Sequence, residues 1–103
     1  MRFLFKVSFP VEAGNQVAKK DAFKTIGRIL EEQKPDAAYF TAQDGKRSAL
    51  LILNLESASE IPAFAEPWFL ALDASIETTP VMVPEDLQKA SPAIERAVKD
   101  YGQ

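Results

Sequence analysis

An α+β domain running β-α-β-β-α-β with a C-terminal helix follows from three features of this sequence. The N-terminal segment alternates apolar and polar residues, two longer stretches repeat their apolar residues at helical spacing, and an Asp-Gly pair joins two strand-like runs. The whole chain, residues 1–103, reads as a single domain, because that length supplies one hydrophobic core and leaves nothing for a second.

Phe3, Phe5, Val7 and Phe9 alternate with Leu4, Lys6 and Ser8, and Pro10 ends the run. This is the period of a first strand with one face apolar. From about Asn15 to Gln33 the apolar residues Ala18, Ala22, Phe23, Ile26, Ile29 and Leu30 recur every three or four positions, which predicts a long amphipathic helix that Pro35 cannot continue. Asp36 to Ala42 and Arg47 to Leu55 have strand character, and Asp44-Gly45 between them supplies the positive φ angles of a type I′ hairpin turn.

That two-residue loop sets the register, with Tyr39 opposite Leu50, Phe40 opposite Ala49, Ala38 opposite Leu51 and Thr41 opposite Ser48. One face of the hairpin then carries Ala38, Phe40, Ala49, Leu51, Leu53 and Leu55. The other mixes Leu50 and Ile52 with Tyr39, Thr41, Ser48 and Asn54. Ser57 and Glu60 have the spacing of a capping box, with Ser59 an alternative cap, ahead of a second helix. Pro67 predicts that this helix is broken, since proline removes an internal hydrogen bond. A last strand is expected from about Ser75 to Val83. Beyond Pro84, Leu87, Ala90, Ile94, Ala97, Val98 and Tyr101 are helically spaced, with Ser91-Pro92 dividing the helix in two.

Composition removes several function classes. The chain contains neither cysteine nor histidine, which excludes thiolate chemistry and disulfides and takes away the usual ligands of zinc and haem. Neither metal nor cofactor is therefore expected. A net charge of -3 argues against a nucleic-acid partner, which favours basic surfaces. The N-terminal apolar run is interrupted at Lys6 and precedes no small-residue cleavage site, and no segment approaches a membrane span, so a cytoplasmic setting without a membrane partner is expected.

The strand order is that of the split βαβ, or ferredoxin-like, motif: a four-stranded antiparallel sheet with two helices on one face. The mixed face would lie open in a monomer. Leu4, Lys6, Tyr39, Leu50, Ile52 and Glu77 are accordingly the candidate homodimer-interface residues, with the last strand's Glu77 and Lys6 as neighbours across the sheet. In its N-terminal Arg2-Phe3-Leu4-Phe5 strand, its Asp44-Gly45 hairpin, its Pro67-Trp68-Phe69 helix end and the segment Thr79-Pro80-Val81-Met82-Val83-Pro84-Glu85-Asp86-Leu87, the chain resembles the dimeric α+β barrel proteins. The small muconolactone-isomerase-like members and their uncharacterised relatives are the nearest in layout. The resemblance implies a homodimer paired sheet to sheet. It does not transfer an activity, because that group contains isomerases, cofactor-free oxygenases, haem proteins and proteins without known activity. The haem-binding members use a histidine, absent here. The cofactor-free oxygenases use asparagine, tryptophan and tyrosine, for which Asn54, Trp68 and Tyr39 are the available residues, although aromatic residues more often serve packing.

The leading functional expectation is a small apolar or aromatic ligand, bound or converted in a pocket between sheet and helices near Phe5, Phe23, Gly27, Leu51 and Trp68. Gly27 removes side-chain bulk from the apolar side of the first helix, and Pro67 opens the second beside Trp68. The competing expectation is an interaction module with a filled core and no catalysis. An RNA-recognition role fails on the third strand, Arg47 to Leu53, which lacks the basic-glycine-aromatic signature. Lys20, Lys24 and Arg28 form a basic ridge on the first helix, largely neutralised by Asp21, Glu31 and Glu32.

Overall fold

A computed structural model of the chain describes residues 1–13, 15 and 22–103. Its elements are β1 (Arg2–Ser8), α1 (Ala22–Gln33), β2 (Ala37–Gln43), β3 (Lys46–Asn54), a 3-10 turn (Ala58–Glu60), α2 (Ile61–Leu72), β4 (Ser75–Pro80), α3 (Pro84–Lys89) and α4 (Ser91–Tyr101). The sheet is antiparallel with strand order β2-β3-β1-β4, the ferredoxin-like arrangement. The part of the expected first helix at residues 16–21, with Ala18, Lys20 and Asp21, lies outside the described residues.

Alternation decides which face of the sheet is buried. Phe3, Phe5 and Val7 of β1 pair with Leu53, Leu51 and Ala49 of β3, and all six are buried. Onto them pack Ile29 of α1 and Ala65, Trp68 and Leu72 of α2, with Phe9 and Leu55 completing the cluster. The opposite rows, Leu4 with Ile52 and Lys6 with Leu50, remain half-buried. The hairpin has the expected register, and Asp44 and Gly45 both adopt positive φ (54° and 74°), the type I′ geometry in which glycine carries no steric cost.

Local chemistry fixes the ends of the elements. Ser57 Oγ accepts the backbone N–H of Ser59 (3.2 Å) while the Glu60 carboxylate accepts those of Ser57 (3.1 Å) and Glu56 (2.6 Å), so the turn into α2 is capped reciprocally. Asp73, in the left-handed region at φ 54°, ends α2 by donating its N–H to the Phe69 carbonyl (3.0 Å), and Ala74 donates to Trp68 (3.3 Å).

Three expectations require correction. Pro67 does not break α2, which is continuous from Ile61 to Leu72. The proline costs one backbone donor, and the carbonyl it would have served, that of Ala63, belongs to an exposed residue where water can take the donor's place. The last strand stops at Pro80 rather than Val83, because its partner β1 begins at Arg2: Val81 still donates its N–H to the Arg2 carbonyl (3.0 Å), and beyond it there is no strand left to pair with. Ala38 and Phe40 are not covered by the helices: Phe40 is 53% exposed, since α1 and α2 sit over β1 and β3 and leave the same face of β2 open.

Candidate functional site

The space left over β2 is a pocket. Its volume is about 510 Å³, within the range of small-molecule sites, and among the described residues its walls are overwhelmingly apolar. α1 supplies Ala22, Phe23, Ile26, Gly27 and Leu30 along one side, Phe40 and Thr41 of β2 and Arg47 and Ser48 of β3 form the other, and Phe9 and Leu72 close the end. The helical spacing of Phe23, Ile26, Gly27 and Leu30 puts them on one stripe of α1, next to the buried Ala22 and Ile29. At Gly27 a Cβ would meet nothing within 4 Å, so the glycine does not serve close helix-sheet packing; it leaves this part of the wall open. Phe23, 81% exposed, stands at the mouth.

Polar groups are few and lie at one end. Arg47 Nη1 donates to Asn15 Oδ1 (2.8 Å) and the Ser48 hydroxyl to the Lys46 carbonyl (3.1 Å). The guanidinium has five N–H donors, so bonding Asn15 leaves it further donors for an acceptor on a bound molecule.

Of the residues expected around a ligand, Phe23 and Gly27 line this pocket and Phe5, Leu51 and Trp68 do not. Those three are fully buried within the packed core. The expectation for Trp68 needs correcting on physical grounds: its ring lies 6.1 Å from that of Phe9, and its indole N–H is already committed to Gln33 Oε1 (3.2 Å). Gln33 in turn donates from Nε2 to the Phe64 carbonyl (2.9 Å), tying the last turn of α1 to α2. Replacing Gln33 with leucine strands a buried indole donor and should lower stability by about 1–3 kcal/mol, read from the urea midpoint, with Trp68 emission reporting the altered indole environment. The depression beside Pro67 faces away from the sheet. It lies between Thr25, Arg28, Ile29 and Glu32 of α1 and Pro67, Leu70 and Ala71 of α2.

Sequence reasoning missed Ile26, Leu30, Phe40, Arg47 and Leu72 as pocket walls. For Ile26 and Leu30 the signal was present in the helical stripe. Phe40 was hidden because alternation assigns it to the covered face without saying that the cover stops at β3.

The interface candidates fall on the open face. Leu4, Leu50 and Ile52 are half-buried at its centre, and Tyr39 is 62% exposed beside them. Lys6 and Glu77 are direct partners in the β1–β4 register, and neither belongs to an ion pair among the described residues, where the pairs are Arg2–Asp36 (3.7 Å) and Arg28–Glu32 (3.2 Å). The second of these neutralises part of the helix 1 ridge. Asn54 and Tyr39 share strand parity with the open face while Trp68 lies in the core on the other side, so these three form no common site. No three acidic side chains gather as a metal-binding cluster among the described residues, and no helix among them is long and apolar enough to cross a membrane.

The fold and pocket together define a ferredoxin-like α+β domain with one face of its sheet helix-covered, the other open, and an apolar cleft at the β2 side. The chain belongs to the DUF3303 family, described as a domain of unknown function, whose profile matches residues 1–95. A search of the curated proteins finds no match.

Proposed function

We propose that the protein binds a small apolar or aromatic molecule in the cleft between α1 and the β2–β3 hairpin, and that it works as a homodimer in which a second copy covers the open sheet face. The observation carrying the first part is the 510 Å³ apolar cleft whose α1 wall includes a glycine with open space where a Cβ would stand. Gly27 is an exposed helical position where propensity alone favours alanine by ~1 kcal/mol, so its glycine is not explained by the helix. Arg47 at one end favours a ligand that joins an aromatic or aliphatic body to an acceptor such as a carboxylate. The second part rests on Leu4, Leu50, Ile52 and Tyr39 lacking cover from their own chain. Kinship with the dimeric α+β barrel proteins rests on the same layout, and the lack of cysteine suits a reducing, cytoplasmic setting.

Among the described residues lining the cleft no side chain is paired as a nucleophile with a base, so binding is the reading favoured here over catalysis. Titration with a panel of aromatic and medium-chain aliphatic acids, followed by protein NMR, tests it: saturable shifts confined to α1 and the hairpin are expected. A flat response across the panel removes the proposal.

A further inference from the structure

No residue of α3 or α4 is buried. Yet α4 is strongly amphipathic: Ile94, Ala97, Val98 and Tyr101 fall on one side of the helix, Ala90 and Leu87 continue the stripe toward α3, and Glu95, Arg96, Lys99 and Asp100 take the remaining surface. Val98 is 61% and Tyr101 84% exposed. Helices of six and eleven residues are too short to hold their shape in water without tertiary packing, so this stripe needs a partner surface.

The dimensions say how large that surface is. The chain has a radius of gyration of 17.5 Å and a longest extent of 58 Å, against about 13 Å expected for the radius of gyration of a compact domain of this length. Its accessible surface is 7464 Å², where a compact monomer of 11.4 kDa exposes roughly 5,800 Å². The surplus, on the order of 1,700 Å², exceeds the ~800 Å² per partner of a standard stable interface.

The open sheet face has the shape of what is missing. Read across the strands, Thr79, Leu4, Ile52 and Ala37 form one row and Glu77, Lys6, Leu50 and Tyr39 the next. The flanking rows are polar: Arg2 with Asn54 on one side, and Ser75, Ser8 and Thr41 on the other, with Ser48 between them already buried. The apolar strip, Leu4, Leu50, Ile52, Ala37 and Tyr39, is therefore two rows deep, about 7 Å, and spans β1, β3 and β2, while Lys6 and the β4 residues Glu77 and Thr79 make the same rows polar toward the other edge of the sheet. A second sheet laid on this face would bury Lys6, Glu77 and the exposed residues of both polar rows. A single helix, about 10 Å across, covers the strip and leaves them wet, and α4 is about 16 Å long.

We propose that α3 and α4 form an exchanged arm, with α4 of each chain lying across the Leu4, Leu50, Ile52 and Tyr39 strip of a second copy. The inference rests on the homodimer reading and replaces sheet-to-sheet pairing with helix-on-sheet cover. The occupant is this chain's own arm because the α4 stripe and the sheet strip are uncovered apolar surfaces of one sequence, and a two-fold axis satisfies both at once in two equivalent contacts.

The full-length chain should sediment as a dimer at micromolar concentration. The double variant Ile94→Asp, Val98→Asp touches no buried residue, so native Trp68 emission should persist while the dimer dissociation constant rises by on the order of 100-fold or more. Ile52→Lys should do the same. Because the chain has no cysteine, mixing a tagged Ile52→Cys chain with an untagged Val98→Cys chain should give an interchain disulfide on oxidation, and an Ile52→Cys chain mixed with Glu31→Cys should not. A dimer that survives the double variant but dissociates with Ile52→Lys, or that gives no disulfide between position 52 and positions 94, 98 or 101, overturns the arm and leaves the dimer standing. A wild-type monomer overturns both.

Discussion

Trp68→Ala is expected to lower the stability of the domain by about 3–5 kcal/mol, the largest effect of any single truncation here. The indole is fully buried, packs against Phe9 and sits on α2 where it meets β1 and β3 through the shared core cluster. Truncation removes its apolar contacts, leaves a cavity that two helices and a sheet cannot collapse into, and strands the Gln33 carbonyl that accepted its N–H. Trp68→Phe keeps most of the volume and loses only the donor, so it should cost less. Equilibrium urea unfolding followed by circular dichroism separates the two variants. A cost below ~1 kcal/mol for Trp68→Ala would place the indole outside the cooperative core.

That result also separates two roles that look alike in a sequence. Trp68 beside a proline and opposite a glycine reads as a pocket wall, yet the tertiary structure uses it as the centre of the core. Sequence spacing carries the strands, both sheet faces, the hairpin register and the capped entry to α2, because these depend on alternation, turn chemistry and side-chain caps, all local. It does not carry how far two helices extend across a sheet. That distance is set by packing between elements remote in sequence, and it determines that Phe40 is exposed and Leu51 is not although they share a face.

The same limit applies to Pro67 and to the C-terminal helix. A proline's effect depends on whether the orphaned carbonyl faces water, which spacing alone cannot say, and here Ala63 is exposed. The stripe from Leu87 to Tyr101 is plain in the sequence, but its spacing does not say what it packs against. Its lack of burial became visible only with the fold.

Gly27→Leu is expected to abolish ligand binding while leaving the fold intact or slightly more stable. A Cβ at this position meets nothing within 4 Å, so the new side chain enters open space and displaces no neighbour. The helix gains from the substitution, since leucine is better than glycine in a helix interior by roughly 0.5–1 kcal/mol. The added isobutyl group takes up part of the 510 Å³ cleft that Gly27 lines, space a bound aromatic molecule would use. Loss of packing area of that size amounts to roughly 1.5–3 kcal/mol, or at least a tenfold loss of affinity. Gly27→Ala serves as the graded control: it should raise the thermal midpoint while weakening the same ligand less. The measurement is the NMR titration on the wild type and both variants, paired with thermal unfolding. If Gly27→Leu is folded and the ligand still binds with unchanged affinity, the molecule is bound elsewhere and the cleft is not its site.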